Sequence, residues 1–375
     1  MDFEYSDEQR MLADSISRWL EADYRFEDFR RFAADPELLP ANWSRLADLG
    51  LLGLGIAEAD GGLGGGAVET LLVMQAFGRA LVVDPYIGTA VIAVALLSGE
   101  AGGRHREMLG QIAAGSRRVA LAALEPDSRY DLARIATVAT ASGQGFSLSG
   151  SKAVVMHGDS ADDLIVAART SGAVDATAGI SLFLVGTATP GVDIRGFPTI
   201  DGQRAAEIEL HEVQVPRDAL LGALGGGFAP LEWAVDRAIA ALCAEAVGSM
   251  EKLLELTAEH LRSRKQFGQP IGRFQALQHR IADMAVAVEQ SRSMALLAAA
   301  KIDAPDRIER RRAISAAKAM IGRSGRFVGQ QAVQLHGGMG MTDEMPIGYY
   351  FKRLTCIDMS WGNVEHHVAL YGDLT

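Results

Sequence analysis

The sequence predicts an α+β protein with three parts: a helical N-terminal domain, an antiparallel β-barrel middle domain and a C-terminal four-helix bundle. Apolar residues recur at helical spacing in the first and last thirds of the chain. In the middle third, short runs rich in β-branched residues are separated by Gly, Asp and Ser clusters, a pattern typical of strands. With 375 residues, the chain is long enough for two or three domains, which we place at residues 1–115, 116–220 and 221–375.

The N-terminal domain opens with a helix start signal. Ser6 is a good capping residue, acidic residues follow it, and Gln9 stands at the capping-box position. Apolar residues then recur at helical spacing over 11–20. The glycine-rich segment 61–66 interrupts the pattern, and a long apolar helix is predicted over about 67–81.

The middle domain is predicted to be a sheet because no helical pattern lies between its strands. Such strands imply an antiparallel barrel or sandwich. We predict strands at residues 119–124, 136–141, 146–148, 153–156, 164–168, 181–185, 192–197 and 207–213.

The C-terminal domain follows a glycine-rich hinge at 220–228. Long amphipathic stretches indicate helices at 230–262, 274–302 and 306–335, and a shorter one at 346–370. Four helices of this kind predict a bundle.

Composition excludes several classes of function. The net charge of -11 argues against a non-specific nucleic-acid surface, and no uncharged apolar run reaches the roughly 20 residues of a membrane helix. The acidic start lacks the apolar region of a secretory signal, so we expect a cytoplasmic protein. Cys243 and Cys356 lie in apolar surroundings and are predicted to be buried free thiols.

The segment Arg264-Lys-Gln-Phe-Gly268 stands between the first and second predicted bundle helices. The planar guanidinium of Arg264 suits a pyrophosphate oxygen, and Phe267 can stack on an adenine or a ribose. Gln275, at the start of the next helix, can donate to a phosphate or a ribose. The alternative is an ordinary helix–turn–helix connector with a surface arginine.

A second segment, Gln334-Leu-His-Gly-Gly-Met-Gly340, ends the third predicted helix. Its successive glycines expose backbone N–H groups and allow a phosphate to approach closely. The segment is not a G-x-G-x-x-G fingerprint after a strand, which excludes a Rossmann site. The alternative is a glycine C-cap before a loop.

Together, the two segments resemble the C-terminal domain of acyl-CoA dehydrogenases, and the order of the domains extends the resemblance to essentially the whole chain. In that family, subunits pack through their bundles, and these segments reach across to the FAD bound mainly by the neighbouring subunit. The resemblance therefore implies FAD as the cofactor. It also implies a set of residues at its adenosine diphosphate end, which we call the tail-binding set: Arg264, Phe267, Gln275, Gln334, Gly337 and Gly338.

The middle domain departs from the family pattern at the positions that would hold the flavin ring. The family motif Thr-Glu-Pro-Gly-Ala-Gly-Ser-Asp reads Leu124-Glu-Pro-Asp-Ser-Arg-Tyr-Asp131 here, and Gly-x-Lys-x-Trp-Ile-Thr-Asn-Gly reads Gly150-Ser-Lys-Ala-Val-Val-Met-His-Gly158. Hydroxyl donors and the flat aromatic wall that a flavin ring needs are thereby lost. We predict that this domain does not bind flavin productively. The replacements are Leu124, Asp127, Arg129, Tyr130, Val154 and Met156.

The catalytic base is missing as well. Desaturation needs a carboxylate near the acyl α-carbon. By the resemblance, most of the family place that glutamate where Trp361 stands, and isovaleryl-type relatives place it where Ala238 stands. We assign no catalytic residue to this chain. Glu245, two helical turns after Ala238, is the candidate for a displaced base, and a paired structural carboxylate is the alternative.

Two clusters of charged residues are explained without a functional site. We predict a polar helix surface at Glu365-His366-His367 and assign no metal, because adjacent residues on a helix do not share a face. A basic run at the start of the third bundle helix is predicted to be solvated, with pairing to an acidic partner subunit as the alternative. The run comprises Lys301, Arg307, Arg310, Arg311 and Arg312.

The resemblance implies the non-catalytic subunit of a heteromeric α2β2 acyl-CoA dehydrogenase, as in bacterial members that act on steroid side chains or on dicarboxylyl-CoA. The expected partners are an acyl-CoA substrate, an unlike acyl-CoA dehydrogenase subunit and an electron-accepting flavoprotein. Two alternatives remain open. One is a self-sufficient homotetrameric dehydrogenase with a displaced base, and the other is a flavin-free structural homologue.

Overall fold

The computed structural model describes residues 5–99 and 103–374, so the first four residues of the acidic start lie outside the described part. It confirms the α+β class: helices come first, a sheet follows, and helices return. The capping box at Ser6 and Gln9 is present and starts the first helix. The N-terminal helices are α1 (Asp7–Asp23), α2 (Phe26–Ala34), α3 (Leu39–Asp48), α4 (Ala67–Ala80), α5 (Val94–Ser98) and α6 (Gly103–Ala113), with a π-helix over Ile87–Ala93.

The middle domain is one mixed sheet. Its pairing path runs β6-β7-β3-β2-β4-β5-β8, and β1 pairs with β4. The strands are β1 (Val119–Ala122), β2 (Val138–Ser142), β3 (Gly145–Met156), β4 (Asp163–Arg169), β5 (Ile180–Gly186), β6 (Val192–Pro198), β7 (Arg204–Pro216) and β8 (Leu220–Leu221).

The sheet differs in detail from a purely antiparallel barrel or sandwich. Strand β1 runs parallel to β4, because the β2–β3 hairpin lies between them in the chain and provides the long connection that parallel strands need. Strands β6 and β8 end the path, and no pairing joins them within the described residues. The two strands predicted at 146–148 and 153–156 form the single strand β3, whose register shifts twice against β7.

Over the described residues of the C-terminal domain there are five main helices, where the sequence predicted four. The predicted fourth helix is broken because Trp361 and Gly362 adopt positive φ angles of 56° and 114°, which a right-handed helix cannot contain. A short hairpin of two strands with two residues each, β9 (Lys265–Gln266) and β10 (Gln269–Pro270), lies between the first two helices. The helices are α7 (Phe228–Ser263), α8 (Gln275–Lys301), α9 (Arg307–His336), α10 (Ile347–Met359) and α11 (Val364–Asp373).

Helix α7 packs against α4 at backbone contact distance. A Cβ added at Gly78 would lie 1.9 Å from the carbonyl oxygen of Glu245, and one added at Gly248 would lie 1.9 Å from that of Gln75. Only glycine allows this approach. The close crossing fixes the part of α7 that carries Glu245 against the N-terminal domain.

Arg310 and Arg311 of the basic run are largely buried and paired within the chain, which corrects the prediction of a solvated run, while Arg307 is paired but 55% exposed. Arg310 and Arg311 each bind Asp236 of α7 at 2.9 Å, and Arg307 binds Glu232 through two bonds of 2.6 Å. The periodicity of one helix could not reveal these acids, because they lie about 75 residues earlier on a facing helix. None of the described helices is long and apolar enough to cross a membrane.

Candidate functional site

A cavity of about 380 Å³ lies where the three domains meet. The N-terminal domain contributes Phe77 of α4 and Ile92 of the π-helix, the sheet contributes Leu121, and the bundle contributes Leu242 and Arg353. Most of the lining is apolar, which is typical of small-molecule sites. A more open groove of about 530 Å³ between α9 and α11 contains none of the predicted site residues.

The residues that match the family motifs form a buried scaffold under this cavity. Lys152 donates to Glu125 at 2.7 Å, and the backbone N–H groups of Ala136 and Thr137 donate to the same carboxylate at 2.7 and 3.0 Å. Burial lowers the pKa of Lys152 to about 8, against the effect of Glu125. Burial alone would raise the pKa of Glu125, but the charge of Lys152 lowers it. The retained half of the motifs therefore fixes β3 to the segment before β2.

Five of the six residues that depart from the motifs line the cavity itself: Leu124, Arg129, Tyr130, Val154 and Met156. Leu124, Val154 and Met156 have no side-chain donor for a flavin ring edge, and Val154 provides no aromatic wall. Gln203, another lining residue, is already hydrogen-bonded within the protein, to His157 at 2.8 Å and to the carbonyl of Val82 at 3.1 Å. Leu124, Val154 and Met156 thus lack the side-chain contacts that the edge and face of a flavin ring need.

Trp361, the position at which the family resemblance places the catalytic glutamate, lines the cavity. Its turn is held from below by Lys318, which donates to the carbonyls of Asp358 and Gly362 at 2.8 and 2.7 Å, and by His367, whose Nε2 lies 3.1 Å from the Trp361 carbonyl. Burial lowers the pKa of Lys318 to about 8. The turn is well ordered by hydrogen bonds and carries no proton acceptor.

Glu245 lines the cavity but is bound on both oxygens. Arg353 of α10 donates to it at 2.5 and 2.7 Å, and donates to Asp201 of the β6–β7 connection at 2.8 Å. Burial opposes the charge of Arg353, yet the two carboxylates hold its pKa above the usual value. Arg353 thereby connects its own helix α10 to α7 and to the β6–β7 connection of the sheet. Glu245 is thus a paired structural carboxylate in this geometry.

Asp84 is a third carboxyl group at the cavity, and the sequence analysis missed it. Asn42 donates to its Oδ2, while its Oδ1 has no hydrogen-bond partner among the described residues. Burial raises the pKa of Asp84 to about 7, against the effect of the Asn42 bond. The sequence does contain a sign of this residue, because Asp84 is the sole charged residue between Leu81 and Gly99.

The structure places the tail-binding set away from the cavity, exposed at one end of the bundle. Phe267 is 90% exposed at the tip of the β9–β10 hairpin. His260, on α7 four residues before Arg264, stacks on His336 of the second segment with ring centroids 4.4 Å apart. A Cβ at Gly337 or Gly338 would meet nothing within 4 Å, so the backbone there is open to a ligand. An exposed cation, an exposed ring and open backbone fit the phosphates and adenine of a dinucleotide tail.

Other candidate groups have structural partners. His367 contacts the hydroxyl of Ser315 at 3.3 Å in addition to the Trp361 carbonyl, and burial lowers its pKa to about 3. Among the residues that the structure describes, no cluster of three metal-ligating side chains occurs. Cys243 is a buried free thiol as predicted, whereas Cys356 is only half-buried and lines the cavity.

Three family models match successive parts of the chain. They describe the acyl-CoA dehydrogenase N-terminal domain at residues 6–104, its middle domain at 120–215 and its C-terminal domain at 225–372. The acyl-CoA dehydrogenase FadE12 of Mycobacterium tuberculosis is 30% identical over 90% of this chain and 88% of FadE12. The acryloyl-CoA reductase (NADH) of Anaerotignum propionicum is 28% identical over 98% of this chain and 94% of the reductase.

Solved structures agree over nearly the full length. The Tcur3481-Tcur3483 steroid ACAD variant superposes with a TM-score of 0.88 at 29% identity, covering 98% of this chain and 97% of its own. The ChsE4-ChsE5 complex of Mycobacterium tuberculosis superposes with a TM-score of 0.88 at 25% identity, covering 100% and 98%. The FAD complex of PigA gives a TM-score of 0.89 at 25% identity, covering 100% and 98%.

Proposed function

The chain belongs to the acyl-CoA dehydrogenase family, and within it we propose that this protein is the non-catalytic subunit of a heteromeric, flavin-dependent enzyme. An unlike partner subunit would supply the catalytic glutamate, the acyl-CoA pocket and the contacts to the flavin ring. This chain would supply the tail-binding set to the adenosine diphosphate end of the same FAD. The reaction is α,β-desaturation of an acyl-CoA thioester, and a flavoprotein would take the electrons.

One observation carries the proposal: Arg353 binds both carboxylate oxygens of Glu245, the candidate for a displaced base. A general base needs a free lone pair within reach of the proton that it removes. Both oxygens of Glu245 already accept a charge-assisted bond from Arg353, which holds the carboxylate in place, and Trp361 has no proton acceptor. The cavity wall of Leu124, Val154 and Met156 supports the same conclusion, because it offers a flavin ring no side-chain donor.

Asp84 favours a second candidate function, a self-sufficient dehydrogenase with a base on the N-terminal domain. Its pKa of about 7 and its unpartnered Oδ1 suit a general base at neutral pH. However, desaturation also removes a hydride, and Leu124, Val154 and Met156 of the same cavity offer no side-chain donor to the flavin that would accept it. We therefore prefer the first candidate.

The relatives support a shared site. Two of the similar structures are named for pairs of unlike proteins, Tcur3481 with Tcur3483 and ChsE4 with ChsE5, and one contains FAD. Bound FAD accepts the hydride from the acyl β-carbon in this reaction class. The residues of this chain would bind the phosphates and adenine of that cofactor and hold it between the two bundles.

The test is to purify the full chain alone and together with the acyl-CoA dehydrogenase subunit encoded beside it. We expect a colourless or weakly flavinated chain alone, and a yellow complex that reduces an electron-accepting dye when acyl-CoA is added. A chain that is yellow and active alone would overturn the proposal, and loss of that activity in Asp84→Asn would establish the second candidate. A colourless chain whose partner is equally active without it would indicate a structural homologue.

A further inference from the structure

Helix α8 carries small and apolar residues on two opposite faces. Its inner face packs into the bundle and is buried, with Met284, Val288, Ser291, Ala295 and Ala298. At roughly 100° per residue, a second set of residues projects in the opposite direction, within a sector of about 60°. We call this exposed set the outer face of α8, and it comprises Ala282, Val286, Ser293, Leu297 and Ala300.

The outer face is exposed although little on it favours water. Val286 is 56% exposed and Leu297 is 37% exposed, and the hydroxyl of Ser293 already donates to the carbonyl of Glu289 at 3.1 Å. Glu289, at the edge of this face, is paired with Arg292 of its own helix at 2.8 Å. A helix that is apolar on all sides is normally buried, and a contiguous exposed apolar strip marks an interaction surface. The outer face therefore has the composition of an interface.

The spacing of the outer face is symmetric about the level of Ser291. Ala282 and Ala300 each lie nine residues from Ser291. Val286 and Leu297 lie five and six residues from it, in opposite directions. If two such helices packed antiparallel with their Ser291 levels side by side, Ala282 of one would meet Ala300 of the other. Val286 would likewise meet Leu297. A surface that matches itself in this way suits a two-fold contact between identical chains.

Charges on one flank of the outer face match in the same arrangement. Asp283 lies eight residues before Ser291 and Lys301 ten residues after it, and both project from the same flank. Asp283 has no ion pair in the part of the chain that the structure describes, while Lys301 is bound to Glu309 at 2.6 Å. In an antiparallel pair, Asp283 of each copy would lie beside Lys301 of the other. Charge complementarity thus favours an occupant with the same sequence.

We propose that the outer face of α8 binds the outer face of a second copy of this chain, antiparallel and across a two-fold axis. The contact does not rest on the proposed function, because a homotetrameric enzyme or a structural homologue would use it equally. In the heteromeric enzyme, it would place the two copies of this chain side by side. The unlike subunit is the alternative occupant, because Gln275 of the tail-binding set starts the same helix.

The contact should be weak when the chain is alone. The outer face is about 27 Å long and about 10 Å wide. A strip of this size is smaller than the roughly 800 Å² that each partner buries in a standard interface. We therefore expect the chain alone to form dimers with a Kd in the range of about 10–100 µM.

Sedimentation of the purified full chain at a series of concentrations measures this equilibrium. Wild type should change from monomer to dimer by about 0.5 mM, which lies above the expected Kd. Val286→Glu should weaken dimer formation about tenfold or more, because each copy would have to bury a charge against an apolar neighbour. Ile308→Glu is the matched control: Ile308 is 48% exposed on α9 but lies outside the outer face, so dimer formation should not change. Equal melting temperatures show that both variants fold.

Cysteine variants test the antiparallel arrangement. A mixture of Ala282→Cys and Ala300→Cys chains should form a disulfide-linked dimer in oxidised glutathione, because the two positions would come within the roughly 4.4–6.8 Å between Cα atoms that a disulfide spans. Each variant alone should stay unlinked, since like positions would lie at opposite ends of the contact. Wild type is the control for the native thiols of Cys243 and Cys356.

A charge exchange tests the matching of the two copies. Asp283→Lys and Lys301→Asp should each weaken dimer formation several-fold, because like charges would then face each other. The double variant should restore it, although the pair between Lys301 and Glu309 stays broken. A purely structural role of either residue would not give this recovery.

The complex with the unlike subunit provides the decisive comparison. Val286→Glu should shift the α2β2 assembly toward αβ halves that keep their flavin. Loss of the unlike subunit instead would assign the outer face to that subunit and overturn the proposal. A wild-type chain that stays monomeric at the highest concentration, or a disulfide within Ala282→Cys alone, would also overturn it. Failure of the unlike subunit to bind wild type would overturn the proposed function and leave the dimer measurement valid.

Discussion

Arg353 and Glu245 form a two-pronged ion pair between α10 and α7, with Nε–Oε1 and Nη2–Oε2 distances of 2.5 and 2.7 Å. Both side chains are buried. A buried ion pair is stable only when its geometry is good and its remaining atoms are hydrogen-bonded, a condition that Asp201 helps to meet by accepting from Nη1. The pair therefore fixes two helices of the bundle to each other and to the sheet.

Removing one partner should reveal this structural role. We expect Glu245→Gln to lower the free energy of unfolding by about 3 kcal/mol, since it leaves Arg353 buried with less compensation. Turnover by the complex at a temperature where it is folded should not change. Urea unfolding and dye reduction measure the two quantities.

Glu289→Gln is the control for this change. Glu289 also pairs with an arginine, Arg292, but its side chain is 64% exposed, so the cost should stay below about 1 kcal/mol. A loss of several orders of magnitude in turnover by Glu245→Gln, with stability unchanged, would make Glu245 the base after all.

Arg264→Ala tests the tail-binding set. The side chain is exposed on the bundle, so the variant should fold and assemble normally. If Arg264 binds the cofactor pyrophosphate, the flavin content of the complex should fall, with affinity for FAD reduced about tenfold or more. Absorbance at the flavin bands after gel filtration gives flavin per complex.

Arg262→Ala provides the matched control, because Arg262 is also exposed, lies two residues earlier and pairs only weakly with Glu259 at 3.9 Å. It should leave the flavin content unchanged. Equal flavin content in both variants would remove Arg264 from the set.

Lys152→Met should destabilise the middle domain without changing the cofactor site. It leaves Glu125 buried with only backbone donors, so we expect a loss of about 3 kcal/mol in the free energy of unfolding. Flavin content per folded complex should stay the same, since neither residue lines the cavity. A variant that folds with full stability but loses flavin would show that this pair acts on the cofactor instead.

Asp84 should make stability depend on pH. Its pKa of about 7 in the folded protein lies above the value of about 3.9 for an unfolded aspartate. The folded state therefore binds the additional proton between these values, and its stabilising effect is complete below about pH 4. This stabilisation decreases as the pH rises to about 7, and above that pH the contribution of Asp84 to the free energy of unfolding no longer changes.

Asp84→Asn should abolish this dependence. The free energy of unfolding of wild type relative to the variant should fall by on the order of 3 kcal/mol between pH 4.5 and 7.5. Chemical unfolding at a series of pH values measures the difference. A constant difference across the range would show that Asp84 remains ionised when buried.

Local pattern was sufficient for the secondary structure of most of the chain. The helices of the bundle follow the 3.6-residue period closely, and the capping box at Ser6 was correctly predicted. The break at Trp361 was not, because apolar periodicity continues across it and a positive φ leaves no mark in composition. The parallel pairing of β1 with β4 was missed for a related reason: strand direction depends on which strands meet, which no single segment encodes.

The candidate site divides in the same way. The sequence by itself determined what the cavity lacks, since the absence of a hydroxyl at Leu124 or a carboxylate at Trp361 can be read from residue type. Only the tertiary structure decided what the remaining charges do. Glu245 and Arg353 are 108 residues apart in the chain, and Asp84 acquires its raised pKa from burial among parts of the N-terminal domain. The energy of a charge depends on its partners and on its distance from water, and both are properties of the folded chain.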